Sequence, residues 1–360
     1  MEPTEPQEVV QPPSLIASKV FCASLKGKRS TVKRGGSSIE EFLEQITKYD
    51  VSWVDFAATD TDEAEAAAVA LGFSRSLVPN LLKEQPSAYE DYDTELGILI
   101  PALWVRGLEV IKSPLLILIR KGLIATVHSA QVTRFRRSRR YAETLLRWAA
   151  KGRRLNDKMT LVLSRLIDEN NDKNFDHLRA IEKEGDRISE TLIDMKGPRK
   201  AIAPEIYGMK SALLAYLDAL WSSVDVLNTL RFGDPELLSD DDRILESMGA
   251  LVQSVNYQIN LAEHLSDVLA SGLEVLQSIY NNQLQQLNNK MAMVVAYLTV
   301  LGTAVLVPNT LATIMSSSAY ALGPEDMVWY SLLMLASTVV ATAAAYLWVL
   351  KSGWLKTEPE

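Results

Sequence analysis

The chain has 360 residues, a formal net charge of −8 and 23% charged residues, which is typical of a protein with a large water-exposed part. The acidic balance disfavours a nucleic-acid partner, and the single cysteine, Cys22, excludes an intrachain disulfide or a multi-cysteine zinc site. The charge is unevenly distributed, because residues 291–350 contain two charged side chains, Glu325 and Asp326.

The first 290 residues have the sequence patterns of a water-soluble protein and divide into four predicted segments. Residues 1–37 begin as a polar, proline-rich stretch, and we predict this segment to be disordered or weakly ordered. Residues 38–130 alternate between helical and strand patterns, which predicts a cytosolic α/β domain with a helix over 60–71. Residues 131–238 are predicted to form cytosolic helices, and residues 239–290 a stalk helix. The expected strands are 51–56, 96–105, 107–111, 115–119 and 123–128.

The last 70 residues predict two membrane spans. Residues 291–316 and 327–350 are each long enough to cross roughly 30 Å of hydrocarbon, although a pair of buried core helices has the same composition. The connecting loop, 317–326, contains no Lys or Arg, whereas Lys290 and Lys351 flank the spans. Positive residues favour the cytoplasmic side, so we expect the loop to be external and both termini, including the 351–360 tail, to be cytoplasmic.

The first span carries a polar stripe. Successive helical residues lie about 100° apart, which places five of its hydroxyl residues within an arc of about 80°. Two interpretations are open: the stripe lines a pore between several copies, or the hydroxyls bond to their own helix and pack between neighbours. The hydroxyl residues are Thr299, Thr303, Thr310, Thr313 and Ser317, and the same arc continues below the span as Asn281, Gln285 and Asn288.

Three further candidates for the pore lining surround Pro308, namely Leu306, Val307 and Asn309. Proline removes a backbone hydrogen bond and leaves a carbonyl near Ala304 without its helical donor. Two interpretations of this proline are open. It provides a hinge or an additional pore ligand, or it is a kink that the helix tolerates.

The loop between the spans contains Glu325 and Asp326. Repeated around an oligomer, these carboxylates would attract cations to an outer mouth. An external loop also needs polar residues for solubility, so this interpretation has a simpler alternative.

Four short motifs accompany this order of elements: VSWVDF at 51–56, YEDYD at 89–93, ATVH at 125–128 and VPNT at 307–310. Together with the two C-terminal spans, they resemble the CorA family of magnesium transporters. The family's Gly-Met-Asn signature is absent, and its place falls at Ser317-Ser318-Ala319. The resemblance implies an α+β membrane protein assembled as a homopentameric funnel in the cell membrane.

The resemblance also implies a function. We expect a passive channel or transporter for divalent metal cations, with Mg²⁺ as the first expectation and Co²⁺, Ni²⁺ or Zn²⁺ as alternatives. Expected partners are further copies of the chain, membrane lipid and the transported cation, with no cofactor, no enzymatic activity and no nucleic acid. The rival hypothesis, motivated by the missing signature, is a membrane scaffold or ion sensor that keeps the fold and does not conduct.

Overall fold

The computed structural model describes residues 18–28, 30–83, 88–106, 109–151, 154–193, 202–233, 235–316 and 323–351. Contacts divide the chain into two units, Met1–Leu273 and Glu274–Glu360. The first unit contains a β-sheet and most of the helices. The second contains the C-terminal part of the longest helix together with one further helix.

Within the described residues, the first unit has one mixed sheet of seven strands. The strands are β1 (Val20–Lys26), β2 (Ser30–Gly36), β3 (Val51–Ala58), β4 (Ala88–Asp91), β5 (Glu95–Arg106), β6 (Glu109–Arg120) and β7 (Leu123–Ser129). Their order across the sheet is β2-β1-β3-β7-β6-β5-β4. The pair β3 and β7 runs parallel and the other neighbouring pairs run antiparallel. The carboxyl ends of β3 and β7 therefore lie at the same edge.

The strand predictions are confirmed for β3, β5 and β7. Of the predicted strand 107–111, residues 109–111 belong to the same strand, β6, as the predicted strand 115–119, and residues 107–108 lie outside the described part. The sequence suggested a break because Pro114 cannot donate a ladder hydrogen bond. The structure tolerates this proline because the pairing with β7 begins at Leu115, after it. At Pro114 the strand has β5 as its paired neighbour, opposite Pro101.

The prediction that residues 1–37 are disordered or weakly ordered is wrong for residues 20–26 and 30–36. These residues form the paired strands β1 and β2, and β1 also pairs with β3. Every β1 residue from Val20 to Leu25 is buried, and Gly27 turns the chain with a φ of +63°, which glycine adopts without strain. The short apolar run was overlooked because basic residues follow it. Residues 1–17 lie outside the described part.

Short helices cover the sheet between the early strands. They are α1 (Leu43–Lys48), which follows a 3₁₀ turn, α2 (Thr61–Ala70) and α3 (Leu77–Lys83). The predicted helix 60–71 is confirmed as α2, and the Asp60 side chain caps it by accepting from the Glu63 N–H at 2.8 Å. Its small buried residues, Ala64, Ala67 and Ala68, belong to the core beneath the sheet.

Four long helices follow the sheet: α4 (Phe135–Ala149), α5 (Leu155–Ile193), α6 (Ile202–Phe232) and α7 (Asp242–Met315). Helix α4 packs on β1 and β2, and α6 packs on β5 and β6. The predicted start of the stalk helix near residue 239 is a capping segment, in which the Asp241 carboxylate accepts from the Arg243 N–H at 2.9 Å. In the first unit, α7 buries one face at helical spacing, formed by Met248, Val255, Ile259, Ala262, Leu265 and Leu269.

The second unit contains α7 from residue 274 onward and α8 (Met327–Lys351). The 18-residue apolar windows in the two helices are only 6% and 11% buried within the chain. Core helices of a soluble protein would be mostly covered, so these exposures argue against the buried-pair alternative. Among the described residues of the second unit, the buried apolar side chains are those of Leu276, Ala296, Ala341 and Val349. Many large apolar side chains remain exposed, as expected for surfaces that meet lipid or other copies.

Candidate functional site

The predicted stripe lies on α7, within the second unit. Thr299, Thr310 and Thr313 are exposed and Thr303 is half-buried. The helix is continuous from Asp242 to Met315, so residues spaced by three, four or seven share a face. The structure therefore places these four threonines along one side of the helix. Ser317 lies outside the described residues.

Each threonine of the stripe donates its hydroxyl proton to the carbonyl four residues earlier. The acceptors are the carbonyls of Val295, Thr299, Leu306 and Asn309, and each oxygen–oxygen distance is 2.8 Å. This is the back-bonding that the packing interpretation expected. It leaves each hydroxyl oxygen with lone pairs that accept hydrogen bonds, so the exposed stripe presents acceptors rather than donors.

Acceptors suit a hydrated cation. The water molecules around Mg²⁺ direct their hydrogens outward, and this ion loses its waters reluctantly. A surface of neutral oxygens can therefore hold the hydration shell without a fixed charge that would trap the ion. The back-bonding is thus compatible with both interpretations of the stripe.

The apolar candidates lie beside the threonines on the same helix. Leu306 is 68% exposed and Val307 is 38% exposed, and Asn309 is also exposed. Pro308 lies inside α7 and does not end the helix. Because proline lacks an N–H, the carbonyl of Ala304 loses its usual helical donor. A backbone acceptor is therefore available within the stretch that carries the threonines.

The lower part of the predicted stripe also lies on α7. Asn281, Gln285 and Asn288 are exposed, and every residue from 281 to 290 is exposed in the single chain. Helical spacing places these amides on the same arc as the threonines. The polar face therefore extends over this part of the second unit from residue 281 to residue 313, and Ala292 and Leu306 interrupt it.

The two acidic loop residues have different environments. Both lie in the 3₁₀ turn Pro324–Asp326, where Glu325 is exposed and Asp326 is half-buried. The Asp326 carboxylate accepts from the Gly323 N–H at 3.0 Å and from the indole N–H of Trp329 at 2.9 Å. Asp326 therefore fixes the start of α8, a role that the sequence analysis missed although its position three residues after Gly323 is typical of a capping residue. Glu325 is the better candidate for attracting cations.

Among the described residues, no group of three or more His, Cys, Asp or Glu side chains is arranged to hold a metal ion. The Asp55 and His128 side chains, taken from two of the sequence motifs, do meet, with 3.0 Å between the carboxylate and the imidazole. Arg139 contacts the same carboxylate at 2.6 Å. This cluster lies in the first unit.

These features define a class: a membrane protein with an α/β domain, a long helix and two apolar C-terminal helices, the first of which has a polar face. The family model for the CorA-like Mg²⁺ transporter protein matches residues 48–351. The chain therefore belongs to the CorA-like Mg²⁺ transporter family, as the sequence motifs predicted. Members of this family are membrane ion transporters rather than enzymes.

Solved structures share the fold. The complete CorA magnesium transporter from Methanocaldococcus jannaschii aligns with a TM-score of 0.68 at 20% identity, over 93% of this chain and 98% of that one. Full-length CmaX aligns with a TM-score of 0.62 at 12% identity, over the same two fractions.

A third solved structure covers less of this chain. The ZntB cytoplasmic domain from Vibrio parahaemolyticus covers 74% of this chain and 99% of its own, with a TM-score of 0.55 at 11% identity. A comparison with curated protein sequences gives no match. The predicted fold class is confirmed: an N-terminal α/β domain, a long helix and two C-terminal apolar helices, as in the full-length CorA structure.

Proposed function

We propose that this chain forms a passive channel for divalent metal cations, with Mg²⁺ as the first candidate, and that α7 lines the pore. The observation that carries the proposal is the neutral polar face of α7 between Asn281 and Thr313. Its threonines donate to their own helix and keep their outward lone pairs for water. Such a face matches the hydration shell of a hard cation.

Conduction requires several copies, because two helices per chain cannot enclose a pore. The number five rests on the resemblance to the CorA family. In this arrangement the pore-lining set is Thr299, Thr303, Leu306, Val307, Asn309, Thr310, Thr313 and Ser317, with Asn281, Gln285 and Asn288 below the membrane. Glu325 and Asp326 surround the outer mouth, where a ring of carboxylates raises the local concentration of cations.

The lysines beside the spans support a proposed orientation. Lys290 and Lys351 flank the two apolar helices and the short loop carries only acidic charge, so the proposed loop is external and both termini are cytoplasmic. Ions then move passively across the cell membrane, down their electrochemical gradient. The partners are further copies of the chain, lipid and the cation, and the proposed reaction needs no cofactor.

A second candidate function is a non-conducting scaffold or ion sensor. Two observations favour it: the sequence lacks Gly-Met-Asn, and the threonine hydroxyls already have partners on their own helix. Conduction of Co²⁺, Ni²⁺ or Zn²⁺ instead of Mg²⁺ is a further variant of the first candidate.

Ion flux separates these functions. Purified full-length protein is reconstituted into liposomes containing a Mg²⁺-sensitive dye, and an inside-negative K⁺ diffusion potential drives entry. The channel proposal predicts Mg²⁺ influx above that of protein-free liposomes, and parallel assays with Co²⁺, Ni²⁺ and Zn²⁺ rank the ions. An intact oligomer that conducts none of the four ions contradicts the channel and supports the scaffold.

A further inference from the structure

A cavity of about 810 Å³ lies between the helices α4, α5 and α7, in the first unit. This volume is within the range of about 300–1,000 Å³ that is usual for small-molecule sites. The cavity is lined by side chains of opposite charge and by two aromatic rings. Its charged lining residues are Arg137, Arg165, Asp168 and Glu169, and its aromatic ones are Tyr141 and Trp148.

The two arginines of the cavity have carboxylate partners other than Glu169. Arg165 forms an ion pair with Asp168 on its own helix, and Arg137 Nη1 lies 3.6 Å from the Asp172 carboxylate. Among the described residues, the Glu169 carboxylate has neither a hydrogen bond nor an ion pair. Together with Asp172, the cavity therefore has three carboxylates for two guanidinium groups, and Glu169 is the carboxylate without a partner.

Glu169 is also the most enclosed of these acids, since it is 7% exposed. Burial, the largest influence, raises the pKa of Glu169, and the charges of Asp172 and Asp168 raise it further. The charges of Arg137 and Arg165 lower this pKa, but the net direction is upward, so the two arginines do not make good the lost hydration. A buried carboxylate without a partner is costly. A ligand with a positive charge and N–H donors would supply what it lacks.

Two aromatic rings form a wall of the same cavity. Tyr141 and Trp148 lie seven positions apart on α4 and therefore share one face of that helix. Tyr141 is 56% exposed and Trp148 is 42% exposed, so both rings have free surface beside the cavity. Aromatic faces attract organic cations, and they also give apolar surface against which the body of a ligand can pack. Leu145 lies between the two rings in sequence and also lines the cavity.

This combination favours an organic cation over a metal ion. Mg²⁺ and Ca²⁺ take about six or more oxygen ligands. Within the part of the chain that the structure describes, no group of three or more His, Cys, Asp or Glu side chains is arranged to hold a metal ion. Asp168 is already engaged by Arg165, which leaves one carboxylate for a ligand. The arginines in the lining repel a second positive charge, so the ligand that fits is a monocation.

We propose that this cavity is a binding site for a small organic monocation, a primary ammonium group on an apolar or aromatic body. The ammonium group donates to the Glu169 carboxylate, and the body packs against Tyr141 and Trp148. A primary ammonium group has three donors, and the hydroxyl oxygens of Ser138 and Ser254 in the lining are further acceptors. The site uses none of the proposed pore residues, so the inference does not depend on the proposed transport.

Binding of phenethylammonium to the full-length protein in detergent tests the proposal. Isothermal titration at neutral pH and fixed ionic strength is carried out with this ion and with its neutral analogue, phenethyl alcohol, and titrations into protein-free detergent are subtracted. The variants are Glu169→Gln and Trp148→Leu. Their matched controls are Glu182→Gln on α5 and Trp221→Leu on α6, because both residues are exposed and neither lines the cavity. The melting temperature without ligand reports whether each variant is folded.

The proposal predicts saturable binding of phenethylammonium to the wild type and to both controls. Glu169→Gln should weaken the affinity at least about tenfold, because the charge-assisted contact is lost, and Trp148→Leu about threefold, because an aromatic face is lost. The wild type should bind the neutral alcohol at least about tenfold more weakly than the ammonium ion. This comparison tests the same contact without a substitution.

Absence of saturable binding to the folded wild type overturns the proposal, as does equal affinity for the ammonium ion and the alcohol. A folded Glu169→Gln variant that binds like the wild type, or that is weakened no more than Glu182→Gln, also overturns it. Displacement of the bound ammonium ion by Mg²⁺ at constant ionic strength overturns it as well, because the site would then belong to a metal ion.

Discussion

The buried charge cluster around Asp55 and the polar stripe of α7 satisfy their polar side chains in different ways. In the cluster, side chains from separate elements satisfy one another, and the partners of Asp55 are 71–84 positions away in sequence. In the stripe, each threonine bonds to a carbonyl four residues away on its own helix. The cluster is a closed network, whereas the stripe keeps acceptors facing outward.

The comparison separates stability from function. A closed, buried network holds elements in place, and removal of one member leaves the others with unpaired charge. Hydrogen bonds from a side chain to its own helix do not connect separate elements. Residues of the stripe can therefore be substituted without unfolding the protein. We therefore expect mutations in the cluster to change the melting temperature, and mutations in the stripe to change ion flux.

The largest effect is expected for Asp55→Asn. The substitution leaves His128 and Arg139 buried without their carboxylate, and loss of one partner from a buried charge pair destabilises proteins by about 3–5 kcal/mol. Thermal unfolding of the full-length protein in detergent measures the change. The matched control is Asp62→Asn on the exposed first turn of α2, for which we expect a change of less than about 0.5 kcal/mol. Equal melting temperatures for the two variants would show that the buried cluster does not stabilise the protein in the way expected here.

A second prediction concerns pH. The pKa of Asp55, about 2, lies below the ordinary value of about 3.9, so its contribution to stability is complete above about pH 4 and is lost as the pH falls towards 2. The pKa of His128 is raised above its ordinary value of about 6.5, so its contribution is complete below about pH 6.5 and is lost as the pH rises through the raised pKa. We expect the highest melting temperature between these limits.

Melting temperatures measured between pH 3 and pH 9 check this sign. In His128→Gln the alkaline decline that belongs to the imidazolium disappears, while the acid decline that belongs to Asp55 remains. The effect is smaller than that of Asp55→Asn, because glutamine still fills the site and can donate to the carboxylate. An alkaline decline that is unchanged in His128→Gln would show that other groups cause it.

The smallest effects are expected in the loop, where Glu325 and Asp326 differ. Asp326→Ala removes an acceptor that caps the start of α8 and lowers stability by about 1 kcal/mol. Glu325→Gln leaves stability unchanged and, if the carboxylate attracts cations, slows Mg²⁺ influx by less than about threefold, most strongly at low ionic strength. Melting and flux assays on both variants distinguish these roles, and a reversal of the two results would disprove the assignment.

Local patterns in the sequence were enough to predict much of the fold. An acidic start followed by alanines predicted α2, apolar runs bounded by turn residues predicted β3 and β7, and two uncharged stretches predicted the apolar parts of α7 and α8. The same patterns missed the β1–β2 hairpin, because its short apolar run lies between a polar, proline-rich stretch and a run of basic residues. The same patterns also divided β6 at Pro114. The sequence does not show that this position has one paired neighbour, β5, because strand pairing is set by the assembled sheet.

The two sites were predictable to different degrees. Helical spacing predicted that the threonines share one face, and it also predicted the hydrogen bonds from their hydroxyls to their own helix. Both features depend on residues three or four positions apart, so both can be read from the sequence. The contacts of Asp55 with His128 and Arg139 depend on the parallel pairing of β3 with β7 and on the packing of α4. Neither is encoded at short range, so the sequence motifs indicated the family without indicating that their side chains meet.

The central claim is that α7 rather than α8 lines the conducting path, and one matched comparison of flux tests it most directly. Thr303 and Thr342 are both half-buried and both bond to the carbonyl four residues earlier, at 2.8 and 2.7 Å, but they lie on α7 and α8 respectively. Mg²⁺ influx is measured in liposomes for the wild type, Thr303→Leu and Thr342→Leu, after confirming that each variant forms an intact oligomer.

We expect Thr303→Leu to reduce the rate at least about tenfold, because leucine replaces an acceptor for the hydration shell with an apolar surface, and a tenfold change corresponds to about 1.4 kcal/mol in the barrier. Thr310→Leu should act in the same direction, and Thr342→Leu should remain within about twofold of the wild type. A conducting wild type with unchanged flux in both α7 variants, or with its loss in Thr342→Leu alone, would contradict the account.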